Sequence, residues 1–201
     1  MPVLVLVRHG QSIWNLENRF TGETDIPLTP QGRTEALAAG AKLMSVAFTH
    51  GFTSVLQRAI DTMTLLLEAA GQSQLAVTRN AALNERNYGN LQGLNKAEVA
   101  KKYGEEQVAL WRRSFSVRPP GGESLDDTAH RVLPYYHTAI EPLLRQGGTI
   151  LVVAHGNSLR ALMMVLENIT AEDISDVDLP TASPRRYTFN NLGEVASAVY
   201  L

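Results

Sequence analysis

The apolar positions fall into short blocks separated by polar, turn-rich stretches. Val3 to Val7 is a continuous apolar run that stops at Arg8-His9-Gly10. A run of this length predicts a strand buried on both faces, and it is too short to span a membrane. Thr149 to Val153 repeats the pattern and ends at Ala154-His155-Gly156-Asn157-Ser158. Thr29-Pro30 reads as an N-cap followed by proline at the first helical position, which predicts a helix to about Met44. Val46 to Thr53 predicts a short strand with a break at His50-Gly51. Ser54 reads as the cap of a helix that ends at Gly71, and Leu75 to Thr78 as a short strand.

The polar stretches Leu16 to Pro27 and Leu83 to Leu94 read as loops, the second not as a core element. Asn95 caps a helix ending at Tyr103-Gly104, and Glu105 to Ser114 forms another that carries Trp111-Arg112-Arg113. Arg118 to Gly122 is a turn. Ser124-Leu125-Asp126-Asp127 resembles a capping box, opening a helix toward Arg145 that Pro134 and Pro142 must kink or divide. A helix follows His155-Gly156 through about Leu166. Tyr187 to Asn190 and Val195 to Tyr200 are strands around a turn at Asn191-Leu192-Gly193. Alternating strands and helices predict an α/β three-layer sandwich, with a mostly parallel central sheet and helices on both faces.

Composition narrows the class. The chain has 201 residues, 44% of them hydrophobic, no Cys and a net charge of -2. That predicts one domain over residues 1–201 and no disulfide framework. Near-neutral charge argues against nucleic acid. No apolar stretch approaches a membrane span, and Met1-Pro2 leads straight into the first strand, so the expectation is a cytoplasmic protein without membrane association. Asn168-Ile169-Thr170 matches a glycosylation sequon, read as chance. Neither a P-loop nor a strand-linked G-x-G-x-x-G is present, which leaves nucleotide binding without a motif.

The chemistry follows from the two His-Gly strand ends. Ligands of open α/β sheets bind outside the carboxyl ends of the strands. A lone His beside Gly is ordinarily a turn residue, but two delivered to one sheet edge, with Arg8 adjacent, point to an anion and a nucleophile. Imidazole has an unperturbed pKa of about 6.5, and a neighbouring guanidinium pushes it down, keeping the ring neutral. His9 could then take a phosphoryl group. Arg8, Arg58 and His155 would cradle it, with the backbone amides of Asn157 and Ser158 at a helix start. Glu85 is the candidate acid and base, although from loop position alone it reads as an ion-pair partner of Arg86. Arg112, Arg113 and Lys96 form a further cationic group or a solvated face. Adjacent helical arginines point about 100° apart and share a ligand only near an end or bend. Trp14, Tyr88 and Trp111 read as core or pocket walls, and His130 and His137 as structural. No metal is expected, because arginine beside the two histidines repels cations and no ligand cluster accompanies them.

The segments V-R-H-G-Q-S-I-W-N, N-R-F-T-G, T-S-V-L-Q-R-A-I, L-N-E-R-N-Y-G-N-L-Q-G-L-N-K, K-Y-G-E-E-Q, W-R-R-S-F and A-H-G-N-S-L-R-A-L run nearly end to end through the chain. In these it resembles the cofactor-dependent phosphoglycerate mutases of the histidine phosphatase superfamily. R-H-G alone indicates the superfamily; the L-N-E-R and W-R-R groups resemble mutases. The resemblance implies that His9 is the phosphorylated nucleophile, Glu85 the proton donor and acceptor, and His155 a transition-state stabiliser, with Arg8 and Arg58 on the phosphoryl group. It implies that Ser12, Asn15, Thr21, Gly22, Tyr88, Lys96, Arg112, Arg113, Gly156 and Asn157 line the substrate, with Gly10, Gln11, Arg86 and Asn87 beside them in the same segments. The implied substrates are 2- and 3-phosphoglycerate, interconverted in glycolysis and gluconeogenesis, and the implied primer is 2,3-bisphosphoglycerate. A homo-oligomer is compatible with the chain.

Two departures stand out. Gln11 stands where many members carry Glu. Pro119-Pro120-Gly121-Gly122-Glu123-Ser124 lacks a long segment that many members carry there and that helps cover the site. The missing cover favours a phosphatase of the same superfamily as the runner-up reading, while L-N-E-R and W-R-R disfavour it. A non-enzymatic phospho-ligand binder would have lost Arg8, His9, Glu85 or His155, and all four are present.

Overall fold

A computed structural model describes residues 1–201. Six strands form one sheet: β1 Val3–Arg8, β2 His50–Thr53, β3 Val77–Arg79, β4 Thr149–Ala154, β5 Arg185–Phe189 and β6 Val195–Tyr200, in the order β3-β2-β4-β1-β5-β6. β1 to β4 run parallel, β5 pairs antiparallel to β1 and β6 antiparallel to β5, so the expected mostly parallel sheet is present. Register pairs Val3 with Thr149 and Arg8 with Ala154, which brings the two His-Gly strand ends side by side.

Alternation along the strands divides the core. Leu4, Leu6, Ile150 and Val152 face helices α6 Leu125–Tyr135, α7 Glu141–Arg145 and α8 Gly156–Glu167. Val5, Val7, Leu151 and Val153 face α2 Pro30–Lys42 and α3 Gln57–Ala69. Two layers of helix around buried strands explain why β1 and β4 read as unbroken apolar runs. A smaller core of Phe20, Leu91, Val99, Val108 and Trp111 anchors α4 Lys96–Tyr103 and α5 Glu105–Arg113. No helix is long and apolar enough to cross a membrane.

Several local expectations hold. Thr29 caps α2 and Asn95 caps α4. Ser124 and Asp127 make a reciprocal capping box, and a π-turn at Tyr136–Ile140, two residues after Pro134, divides α6 from α7. Others need correction. Val46 to Thr49 is not strand: the Gln72 side chain accepts from Phe48 N–H and donates to Val46 C=O, replacing a ladder partner. The short strand expected at Leu75 to Thr78 lies at Val77–Arg79. Ile13–Leu16 forms one helical turn, α1, capped by Ser12. Ser54 does not cap α3, which starts at Gln57 with Leu56 at its N-cap and no side-chain cap. The loop after Leu83 is more deeply seated than its polarity suggests. Leu83, Leu91 and Arg86 are buried, and Arg86 donates to Tyr88 Oη and Arg112 C=O. Gly10, one of the residues expected beside the substrate, approaches the Gly32 backbone of α2 instead, where a Cβ at either glycine would collide with the other segment.

Candidate active site

β1 and β4 end in one cleft. His9 N–H donates to Ala154 C=O at 2.9 Å, and the His9 and His155 rings sit 5.0 Å apart, tilted by 58°. His9 Nδ1 lies 2.7 Å from Gly10 C=O. A carbonyl only accepts, so Nδ1 carries the proton and Nε2 holds the lone pair. Arg58 Nε–H points at that nitrogen from 3.3 Å. The remaining nitrogens of this fully buried guanidinium donate to Thr24 C=O and Gly22 C=O, at 2.9 and 2.7 Å. Burial pulls the Arg58 pKa down to about 10, with Glu85 and Asp25 pulling the other way.

Burial, then Arg58, then Arg8 hold the His9 pKa well below 6.5. The same burial, with Arg58, His9, Arg8 and Arg131, does so for His155. Both rings are therefore neutral at pH 7. A His kept neutral on folding leaves the unfolded chain binding more protons below pH 6.5, so stability falls with pH from there until the folded pKa is passed. Each unit of that interval costs about 1.4 kcal/mol per ring. The denaturation midpoint is expected to drop on acidification from pH 6.5, and the double variant His9→Asn, His155→Asn should drop less. Parallel curves would rule out the two rings as the source.

His155 is wholly buried behind His9. Its Nε2 is 2.7 Å from Ser54 Oγ, which also accepts from Leu56 N–H just ahead of α3. Glu85 sits at the N-terminus of α8: its Oε1 accepts from Asn157 N–H at 3.0 Å and from Arg86 N–H at 2.9 Å. A helix N-terminus favours a carboxylate there. A Cβ on Gly156 would lie 3.6 Å from Glu85 Oε2 and 3.8 Å from Arg8 Nε, so this glycine is the gap between acid and cation.

The cleft, of about 120 Å³, is lined by Arg8, His9, Asn15, Thr21, Gly22, Arg58, Glu85, Tyr88, Lys96, Arg112, Arg113, Gly156 and Asn157, all from the sequence-derived set. Arg112 and Arg113 both reach it because they occupy the last turn of α5. Burial, then Arg112 and Arg8, lowers the Lys96 pKa to about 8. Gly10, Gln11, Ser12, Arg86, Asn87 and the buried His155 do not line the cleft. Gln11 Oε1 accepts from Thr29, Ser12 bonds Asn15, and Asn87 donates to Glu23. Five lining residues were missed: Arg19, Phe20, Arg160, Asp178 and Leu179. Arg160 had a signal, its i+3 spacing from Asn157, to whose Oδ1 it donates at 3.1 Å. Asp178 and Leu179 are brought in by long-range bonds from Arg113 and Arg8. Seven cationic side chains face two carboxylates. That imbalance fits a multiply charged anion, with buried, unpartnered Arg8 Nε among the donors.

Comparison with known proteins agrees with this geometry. The family model for the histidine phosphatase superfamily, branch 1, matches residues 4–200. A 2,3-bisphosphoglycerate-dependent phosphoglycerate mutase of Cytophaga hutchinsonii is 56% identical over 201 residues, covering 100% of this chain and 94% of that protein. One from Methylocella silvestris is 58% identical over 187 residues, covering 92% and 91%. Among solved structures, a mycobacterial glucosyl-3-phosphoglycerate phosphatase complexed with VO3 superposes with a TM-score of 0.85 at 28% identity, over 100% of this chain and 97% of that one. With His9 in an arginine-lined cleft, His155 packed against its ring, and a family match over nearly its whole length, the chain belongs to the histidine phosphatase superfamily.

Proposed function

We propose that this chain is a phosphoglycerate mutase that interconverts 2- and 3-phosphoglycerate through a phosphohistidine at His9, a step of glycolysis and gluconeogenesis. The observation that carries the reading is that the cleft gathers its cations from separate parts of the chain. Arg8 and Arg58 surround His9, while Lys96, Arg112 and Arg113 come from the separate α4–α5 unit and line the same space. A substrate with a phosphate and a carboxylate, or with two phosphates, uses both groups; a simple monoester needs one.

His9 Nε2 attacks phosphorus in line with the leaving oxygen, and its lone pair forms the P–N bond as the P–O bond breaks. Arg8 and Arg58 balance charge on the equatorial oxygens, and His155 supports the same group from behind His9. Glu85 gives its proton to the departing alkoxide. In the return step Glu85 removes the proton from the incoming hydroxyl, whose oxygen takes the phosphoryl group back from His9. 2,3-Bisphosphoglycerate supplies the phosphoryl group that first loads His9, and the excess of cations over carboxylates fits so anionic a primer. With seven cationic side chains lining the cleft, both phosphates of the bisphosphate can be neutralised while either is presented to the nucleophile.

The solved neighbour named a phosphatase is 28% identical, against 56% for the mutase of Cytophaga hutchinsonii. The deciding measurement is an assay primed with 2,3-bisphosphoglycerate that follows both isomer interconversion and phosphate release. Interconversion is expected to dominate and to need the primer. Phosphate as the major product under primed conditions would replace the mutase reading with a phosphatase.

A further inference from the structure

Glu85 lies on an irregular loop, yet proton transfer demands a carboxyl placed to within a fraction of an ångström. The residue that meets this demand lies outside the cleft. Arg131, on α6, uses all five of its N–H donors. Its Nη1 donates to Ala82 C=O at 2.8 Å and Asn84 C=O at 3.0 Å, and its Nη2 to Glu85 C=O at 3.0 Å. The other two, from Nε and Nη2, form a fork on Glu123, at 3.1 and 3.0 Å. Glu123 then reaches the far side of the same loop: its Oε2 accepts from Asn87 N–H at 3.0 Å, and its own N–H donates to Asn87 C=O at 2.8 Å. The loop is thus gripped before, at and after Glu85.

The short turn Pro119–Glu123 makes this grip possible. Asn90 N–H donates to Pro120 C=O at 2.9 Å, and the backbones at Gly89 and Gly122 press so closely on the facing segments that a Cβ on either would collide. With only two glycines between Pro120 and Glu123, the chain delivers the Glu123 carboxylate directly under the loop. The planar five-donor fork of arginine matches three converging carbonyls and a carboxylate; a lysine ammonium offers three donors and no plane.

We propose that Arg131 and Glu123 form a brace that positions the Glu85 carboxyl for proton transfer, with no contact to substrate. The inference rests on the proton-shuttle reading of Glu85. Neither brace residue lines the cleft. Loosening the loop therefore separates two quantities: protonation of the alkoxide depends on where Glu85 stands, whereas occupancy of the phosphoryl seat depends on Arg8, His9 and Arg58.

The test compares Arg131→Lys and Glu123→Gln with wild type in the primed assay, and measures inhibition by orthovanadate, which occupies the phosphoryl seat. The expected result for Arg131→Lys is a kcat lower by about 10–100-fold, the scale of an ångström-sized misplacement, with KM and orthovanadate affinity within about threefold. Glu123→Gln, which keeps one acceptor, should fall in the same direction by less. Loss of orthovanadate affinity in step with kcat, or wild-type kcat in both variants, would overturn the brace. If Arg131→Lys does not fold, Glu123→Gln carries the test by the same criteria. Glu85→Gln run in parallel separates the two readings. Should it turn over normally, the proton-shuttle assignment fails; should it alone lose kcat, the brace fails.

Discussion

Asparagine in place of His9 is expected to abolish phosphoenzyme formation and lower turnover by about 10⁴–10⁶-fold, the scale seen when an enzyme's nucleophile is removed. The size follows from what Nε2 does. It is the one nitrogen at the strand tip with a lone pair aimed into the cleft, because Gly10 C=O holds the proton on Nδ1. Burial and two guanidinium groups keep that lone pair free of a proton at pH 7. Asparagine preserves polarity in this buried position but supplies no nucleophilic nitrogen. The measurement is acid-labile label on the protein after incubation with 32P-labelled 2,3-bisphosphoglycerate, alongside the primed rate. Label that persists in His9→Asn would assign the phosphoryl acceptor elsewhere.

Glutamine in place of Glu85 is expected to lower kcat by about 10²–10⁴-fold, the usual range for loss of general acid–base catalysis. The side-chain oxygen that accepts from Asn157 N–H and Arg86 N–H survives this change, so the loop keeps its hydrogen bonds. The lost function is the proton itself. Glu85 is one of two carboxylates facing seven cations in the cleft, so its neutralisation strengthens anion binding. KM and the orthovanadate inhibition constant should therefore stay level or fall while kcat drops. A kcat within about threefold of wild type would remove Glu85 from the chemistry and move the search to other proton carriers in the cleft.

Much of the site was legible because of how the strands are buried. Helices cover both faces of β1 and β4, so each had to be a continuous apolar run, and the first polar residues after such runs fall at the sheet's carboxyl edge. That places Arg8, His9 and His155 without any knowledge of the rest. Caps at Thr29, Asn95 and Ser124 were legible for a similar reason, since the hydrogen bonds involved close within a few residues. Gln11, Ser12, Arg86 and Asn87 show the opposite. They share segments with cleft residues, yet their side chains turn away: Ser12 is taken up by the local cap with Asn15, and the others by partners farther along the chain. Arg86 is drawn to Arg112 C=O, 26 positions on, and Asn87 to Glu23, 64 positions back.

The sequence by itself determined the order of elements, the strand tips that carry the two histidines, and the excess of cationic residues in the surrounding segments, because these depend on local hydrogen bonding and on which residues avoid water. Tertiary structure decided that His9 presents Nε2, that Ser54 meets His155, that Arg160, Arg19 and Asp178 enter the cleft, and that Arg131 and Glu123 hold the loop of Glu85. The bonds of Ser54, Asp178 and Arg131 join residues distant in the chain, and His9 and Arg160 are turned by nearer partners in backbone whose course only the fold sets; neither kind leaves a periodic trace in the order of amino acids.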